Sequence, residues 1–299
     1  MLDHEMKKNT DAAKKPFELV PRTHGTTLVL TGAWAPEAEN ALLSGEADGL
    51  EVNYARGSRE RTLDFIGAWP IRWLRIIGRT FRDIDPIYRL NGTLEELEIQ
   101  TAEGTSVDLA RLPRLSSVAA DWETIKDTIE STESLRELNV LRFTEPDVEV
   151  ITNNHGLRGL VLKQAPFLRR LEGVGEFPLL SKLEVYAART LEDISELRKV
   201  NRELESLILE SCPSIARLGD ITNLDGLALL GFSECREIES IAPVATLRKL
   251  EVVHCWGNTR IVDSDLEPLR SLPQLRELRM RDRPDYRPRV SEIQELIGR

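Results

Sequence analysis

The chain has 299 residues, 41% of them hydrophobic and 30% charged, a balance that supplies an apolar core and excludes a chain disordered throughout. Its formal net charge of −10 repels a phosphate backbone on average, so nucleic-acid binding would require a local basic patch. The three cysteines, Cys212, Cys235 and Cys255, are an odd number with no CxxC pair, which argues against a disulfide scaffold or a zinc site.

Residues 1 to about 15 are polar and Lys-containing, and disorder is expected there. They lack the uninterrupted apolar segment of a secretory signal, and no later stretch approaches a membrane-spanning run. A cytoplasmic protein with no membrane association is therefore expected. Phe17, Leu19 and Val20 precede Pro21 and are expected to form an extended segment that caps the N-terminal end of the core.

From Leu28 onward one pattern recurs. It starts in degenerate form at Leu28, Leu30 and at Leu50, Val52, then becomes a triplet at Ile71, Leu74, Ile76; Leu94, Leu97, Ile99; and Leu115, Val118, Ala120. It continues at Leu135, Leu138, Val140; Leu157, Leu160, Leu162; and Leu180, Leu183, Val185. The full form, L-x-x-L-x-L-x-x-C, stands at Leu204, Leu207, Leu209, Cys212. Later copies are read at Leu224, Leu227, Leu229; at Leu247, Leu250, Val252, Cys255; and at Leu275, Leu278, Met280. The eleven steps average roughly 23 residues, inside the 20–29 range of short solenoid repeats. The L-x-L centre alternates at period two, as a strand with one buried face does. Between strands, Leu209, Cys212, Ile215, Leu218, Ile221 and Leu224 recur every three residues, the period of 3₁₀ turns.

These triplets resemble the leucine-rich-repeat family, and the resemblance runs from about Thr26 to Asp282. It implies an α/β repeat solenoid, a horseshoe with a concave parallel β-sheet of about twelve strands and short 3₁₀ or helical segments on its convex side. Strands about 4.8 Å apart would give an inner arc of roughly 55 Å. The chain departs from the family where a loop Asn commonly bonds neighbouring backbones. That position reads here as Ala33, Ala55, Ala102, Ala165, Ala188, Cys212 and Cys255, with Phe143 and Phe232 elsewhere. Backbone groups or water are expected to satisfy the loops instead, and the cysteines to be buried thiols.

The expected organisation is a disordered start and N-terminal cap over 1–24, the solenoid over 25–283, and a C-terminal capping helix over 284–299. Ser291 followed by Gln294 has a capping-box form, and Ile293, Leu296 and Ile297 share one helical face. The longest step contains CWGNTRIVDSD, read as a protruding loop, followed by a short helix at DLEPLRSL.

Catalytic signals are sparse. His4, His24, His155 and His254 have no metal-ligand spacing, and no Walker loop, GxGxxG or GxSxG occurs. The NGT at Asn91 reads as a turn. No catalytic residue, metal ligand or cofactor is identified, and a non-enzymatic role is expected; the hydrolase alternative would place a site in the 253–268 loop. Alternation along each strand instead leaves an exposed concave face. On it, Leu141, Val161, Tyr186, Ile208, Leu230 and Val253 form an apolar strip edged by Glu184, Glu210 and Glu251, with Trp122, His254 and Trp256 as candidate rim residues. An apolar strip with charged edges suits a protein interface, although β-branched residues also simply favour strands.

Arginines cluster at Arg72, Arg75, Arg79 and Arg82, and at Arg276, Arg279, Arg281, Arg283, Arg287 and Arg289. They are read either as a phosphate or nucleic-acid site or as local ion pairs with interspersed acids. The leading expectation is a non-catalytic protein–protein interaction module that grips a protein partner of unspecified identity on its concave sheet, with an inhibitor or immunity-type role as its narrower form. The oligomeric state is left open.

Overall fold

The computed structural model describes residues 15–23 and 25–297; the disorder expected at the N-terminus falls on residues 1–14, outside the described residues. Among the described residues fifteen strands occur in chain order: β1 (Phe17–Arg22), β2 (Gly25–Leu30), β3 (Gly49–Asn53), β4 (Trp73–Ile77), β5 (Glu96–Gln100), β6 (Ser117–Asp121), β7 (Glu137–Leu141), β8 (Gly159–Lys163), β9 (Lys182–Tyr186), β10 (Ser206–Glu210), β11 (Leu229–Gly231), β12 (Glu237–Ile238), β13 (Val252–Cys255), β14 (Arg260–Ile261) and β15 (Glu277–Met280). Thirteen form one open sheet in sequence order, and β12 with β14 forms a second, two-stranded sheet. β1 is antiparallel to β2; the other twelve strands of the large sheet run parallel, one per repeat, as the triplets predict.

Each strand has five residues or fewer after β2, and its length follows from the pattern: two core side chains with solvent-facing neighbours. In the first core column Leu74, Leu97, Val118, Leu138, Leu160, Leu183 and Leu207 are each at most 2% exposed. Burying one such leucine contributes about 1.5–3 kcal/mol, and a repeat obtains that burial only by stacking on its neighbours. The three-residue spacing between strands becomes 3₁₀ turns, with Cys212, Ile215, Leu218, Ile221 and Leu224 all buried beneath them. Helices are short: α1 (Pro36–Leu43), α2 (Trp122–Ile125), α3 (Glu267–Arg270) and α4 (Val290–Ile297).

Two repeats differ from the expected register. The triplets expected at Leu224, Leu227, Leu229 and at Leu247, Leu250, Val252 are in fact Leu227, Leu230, Phe232 and Leu250, Val253, Cys255. Leu230 lies opposite Leu207 and Val253 opposite Leu230, and all of these side chains are buried. The ambiguity arises because the three-residue spacing of the convex turns also generates L-x-x-L. Packing resolves it, since the expected frame would leave Phe232 outside the strand core. Cys255 therefore occupies a strand core position and does not replace a loop Asn.

The strand exits explain how the missing Asn is tolerated. Arg142, Gln164, Ala187, Ser211 and Glu234 each follow a strand with φ between 54° and 57°, the left-handed region. In this conformation each N–H reaches the neighbouring repeat: Arg142 N donates to Lys163 O at 2.8 Å, Gln164 N to Tyr186 O at 2.9 Å, and Ala187 N to Glu210 O at 2.9 Å. The Cys212 thiol donates to Glu210 O at 3.4 Å, and the Cys235 thiol to Leu209 O at 2.9 Å. In the next repeat Thr259 serves instead, donating to Phe232 O and accepting from Cys235 N, both at 2.9 Å.

At the N-terminal edge Phe17 is buried while Leu19 is exposed, so the extended segment expected there is the edge strand β1. The segment expected to protrude after Cys255 is instead tied down through Thr259 and the β12–β14 pairing, and only part of it, notably Trp256, is exposed. At the other end α4 buries Val290 and Ile293, and Gln294 Nε2 donates to Leu278 O at 3.0 Å.

Candidate interaction surface

Three side-chain columns face the concavity, at the first, third and fifth strand positions. In the C-terminal half they are Lys182, Ser206, Leu229, Val252, Glu277; then Glu184, Ile208, Gly231, His254, Arg279; and finally Tyr186 and Glu210, continued by Ser233 and Trp256 beyond the ends of β11 and β13. Of the expected strip, Leu141, Tyr186 and Ile208 are half-buried on this face, while Val161 is only 7% exposed between its neighbours. Leu230 and Val253 do not belong to the face, because the register places them in the core. The same shift turns Leu229 and Val252 outward, and neither was anticipated. Phe232, a bulky side chain with no other place to be buried, was the signal that could have revealed them.

The rim residues separate. Trp122 is fully buried: its ring meets Phe143 edge-on at 4.9 Å and its Nε1 donates to Glu145 Oε1 at 2.7 Å. Trp256 is 60% exposed and continues the column of Tyr186 and Glu210. His254 is half-buried one column over, its Nε2 3.0 Å from Glu277 Oε1. Gly231 lies between Ile208 and His254 and leaves the sheet surface bare there. Beside Trp256 a cavity of about 550 Å³ opens, with Glu210, Ser233, Glu234, His254 and Arg279 among its walls.

Charge frames this apolar area. Glu184 accepts from Tyr186 Oη at 3.0 Å and pairs with Lys182 at 3.2 Å; burial, with the Glu184 charge beside it, pushes the Tyr186 phenol well above its usual range. Glu251 lies outside the three columns and pairs with Arg276 at 2.7 Å. Asp121 pairs with Arg142, yet burial dominates and raises its carboxyl pKa. Several clustered arginines form local ion pairs: Arg72 with Glu95 at 2.8 Å, Arg75 with Glu98 at 3.1 Å, Arg279 with Glu277 at 2.6 Å, and Arg289 with Asp282 at 2.6 Å. Among the described residues no group of three or more His, Cys, Asp or Glu side chains could hold a metal ion, and no helix is long and apolar enough to cross a membrane.

No protein-family model and no curated protein matches the sequence. Among solved structures, a leucine-rich-repeat protein of Leptospira interrogans matches at a TM-score of 0.57 and 16% identity, over 83% of this chain and 58% of that one. An internalin of Listeria monocytogenes matches at 0.42 and 17% identity, over 70% and 73% of the two chains. A plant peptide hormone receptor, solved with a peptide hormone, matches at 0.48 and 12% identity, over 89% and 40%. The parallel repeat sheet and the Leptospira likeness together define the fold: the chain is a leucine-rich-repeat solenoid. It spans 58% of the length of the Leptospira protein.

Proposed function

We propose that this solenoid is a non-catalytic protein-binding module whose partner docks on the C-terminal half of the concave sheet. The observation that carries the reading is Trp256, 60% exposed in the same column as Tyr186 and Glu210 and on the same face as the outward-facing Ile208, Leu229 and Val252. Large aromatic side chains at the centre of an apolar area with a polar rim are where interface free energy concentrates. Glu184, Glu210 and Glu277 at its edge suit a partner with basic groups. The formal net charge of −10 supports the narrower form of the reading, an inhibitor or immunity-type protein covering a basic enzyme, by speeding encounter with such a partner. Three unpaired thiols accord with a reducing, cytoplasmic setting.

Affinity capture followed by titration against the captured protein tests the reading. Trp256→Ala and Ile208→Glu are expected to weaken binding by at least about 30-fold, the scale of a hot-spot loss. Leu43→Ala, an exposed leucine on α1, is expected to leave affinity unchanged. Equal affinity for all three variants, each still folded, would overturn the concave site.

A further inference from the structure

A different set of residues gathers on the flank where the chain leaves the concave sheet. Arg236, Arg260 and Arg283 stand in three consecutive repeats and line one cavity of about 570 Å³, whose walls also include Pro213, Glu237 and Asn258. The backbone holds two of them in register: Arg260 N donates to Arg236 O at 2.6 Å, and the β12–β14 pairing sets Glu237 opposite Arg260. Arg236 lies in the left-handed region at φ 61°, where its N–H donates to Asn258 Oδ1 at 3.2 Å. Arg283 is anchored by Nη2, which donates to Thr259 O at 3.3 Å.

The charge here is only partly balanced. Arg260 pairs with Asp285 at 3.2 Å. Arg236 and Arg283 have no carboxylate within ion-pair distance among the described residues, and Arg283 Nε is buried without an acceptor. Three guanidinium groups against Glu237 and Asp285 leave a positive site on a chain whose formal net charge is −10. Arg72, Arg75, Arg276, Arg279 and Arg289, by contrast, are each taken up by a neighbouring acid.

We infer that the cavity is an oxyanion site that takes a phosphoryl group. Guanidinium forks match phosphate oxygens in paired hydrogen bonds. Three forks lining one cavity offer more donors than the two oxygens of a carboxylate can accept, whereas the terminal oxygens of a phosphoryl group point in several directions. The cavity is also larger than one anion needs and falls in the size range of small-molecule sites, which leaves room for the group that carries the phosphate. This inference does not depend on the concave protein-binding reading.

Isothermal titration at fixed low ionic strength tests it, with inorganic phosphate and AMP as probes and chloride as the balancing anion. Wild type is compared with Arg236→Gln and with the Arg236→Gln, Arg260→Gln pair, all at exposed positions. At least one probe should bind saturably, and the paired variant should bind it at least tenfold more weakly with an unchanged circular dichroism spectrum and urea midpoint. If the pair fails to fold, the single variant carries the test, with a clear weakening expected. Tighter binding of AMP than of phosphate would assign the site to phosphate esters; equal affinity would assign it to the free ion. Absence of saturable binding by both probes, or binding undiminished in the folded variants, would overturn the site.

Discussion

Cys212, Cys235 and Cys255 share a residue type but hold two kinds of position. The first two sit at strand exits and donate to backbone carbonyls, while Cys255 fills a strand core position beside Met280. Burial pushes the Cys212 thiol up to about 12 and the Cys235 thiol up to about 11 from an ordinary 9.0, and Cys255 still higher. None should therefore react with a thiol reagent at pH 8 in the folded protein, and all three should react once urea unfolds it; fast labelling of the native chain would contradict this. The linkage has a definite sign. Below pH 9 folded and unfolded thiols are both protonated, and above it the unfolded chain loses protons that the folded chain keeps. Urea midpoints should accordingly fall as pH rises from 9 towards 11. Thr259, 2% exposed, bridges two backbone groups, so Thr259→Val should cost about 1–3 kcal/mol by leaving Cys235 N without its acceptor.

At the scale of the strand, β11 and β13 show how register decides which residues can work. A slip of one residue exchanges the buried and solvent-facing sets, which is the difference between Leu230 and Val253 as binding residues and as core. Paired alanine substitutions measure it directly. Leu230→Ala should cost roughly 2–5 kcal/mol, as buried leucines do, and Leu229→Ala well under that. The order would reverse if Leu229 were the core residue. Strand exits are similarly cooperative features, since one left-handed residue in each of five consecutive repeats carries the interstrand ladder beyond the strands. Ala187, without a glycine's freedom, adopts φ 56° because its N–H gains the Glu210 carbonyl there.

Across the molecule, stability is a sum of neighbour interfaces, so unfolding should start at an end. The last repeat depends on α4, where Ile293 is 1% exposed and the helix packs on β15 and α3. Ile293→Asp should abolish amide-exchange protection in β15 before it affects β8, measured by hydrogen exchange with mass spectrometry; a uniform loss along the chain would argue for one cooperative unit instead. Repeat number, strand direction and the turn-forming convex segments were legible in the sequence because they rest on local periods of two and three residues, repeated often enough to be unambiguous. The proposed docking face was legible only in part. Ile208 and Tyr186 follow from alternation, but two overlapping L-x-x-L frames near Leu227 and Leu250 satisfy the same local rule. Only pairing with the preceding strand, and the need to bury Phe232, selects between them. Tertiary structure likewise decided that Trp122 is core while Trp256 is exposed, and that Arg236, Arg260 and Arg283 share one cavity. Those outcomes depend on what a neighbouring repeat presents across the stack, which no single repeat encodes.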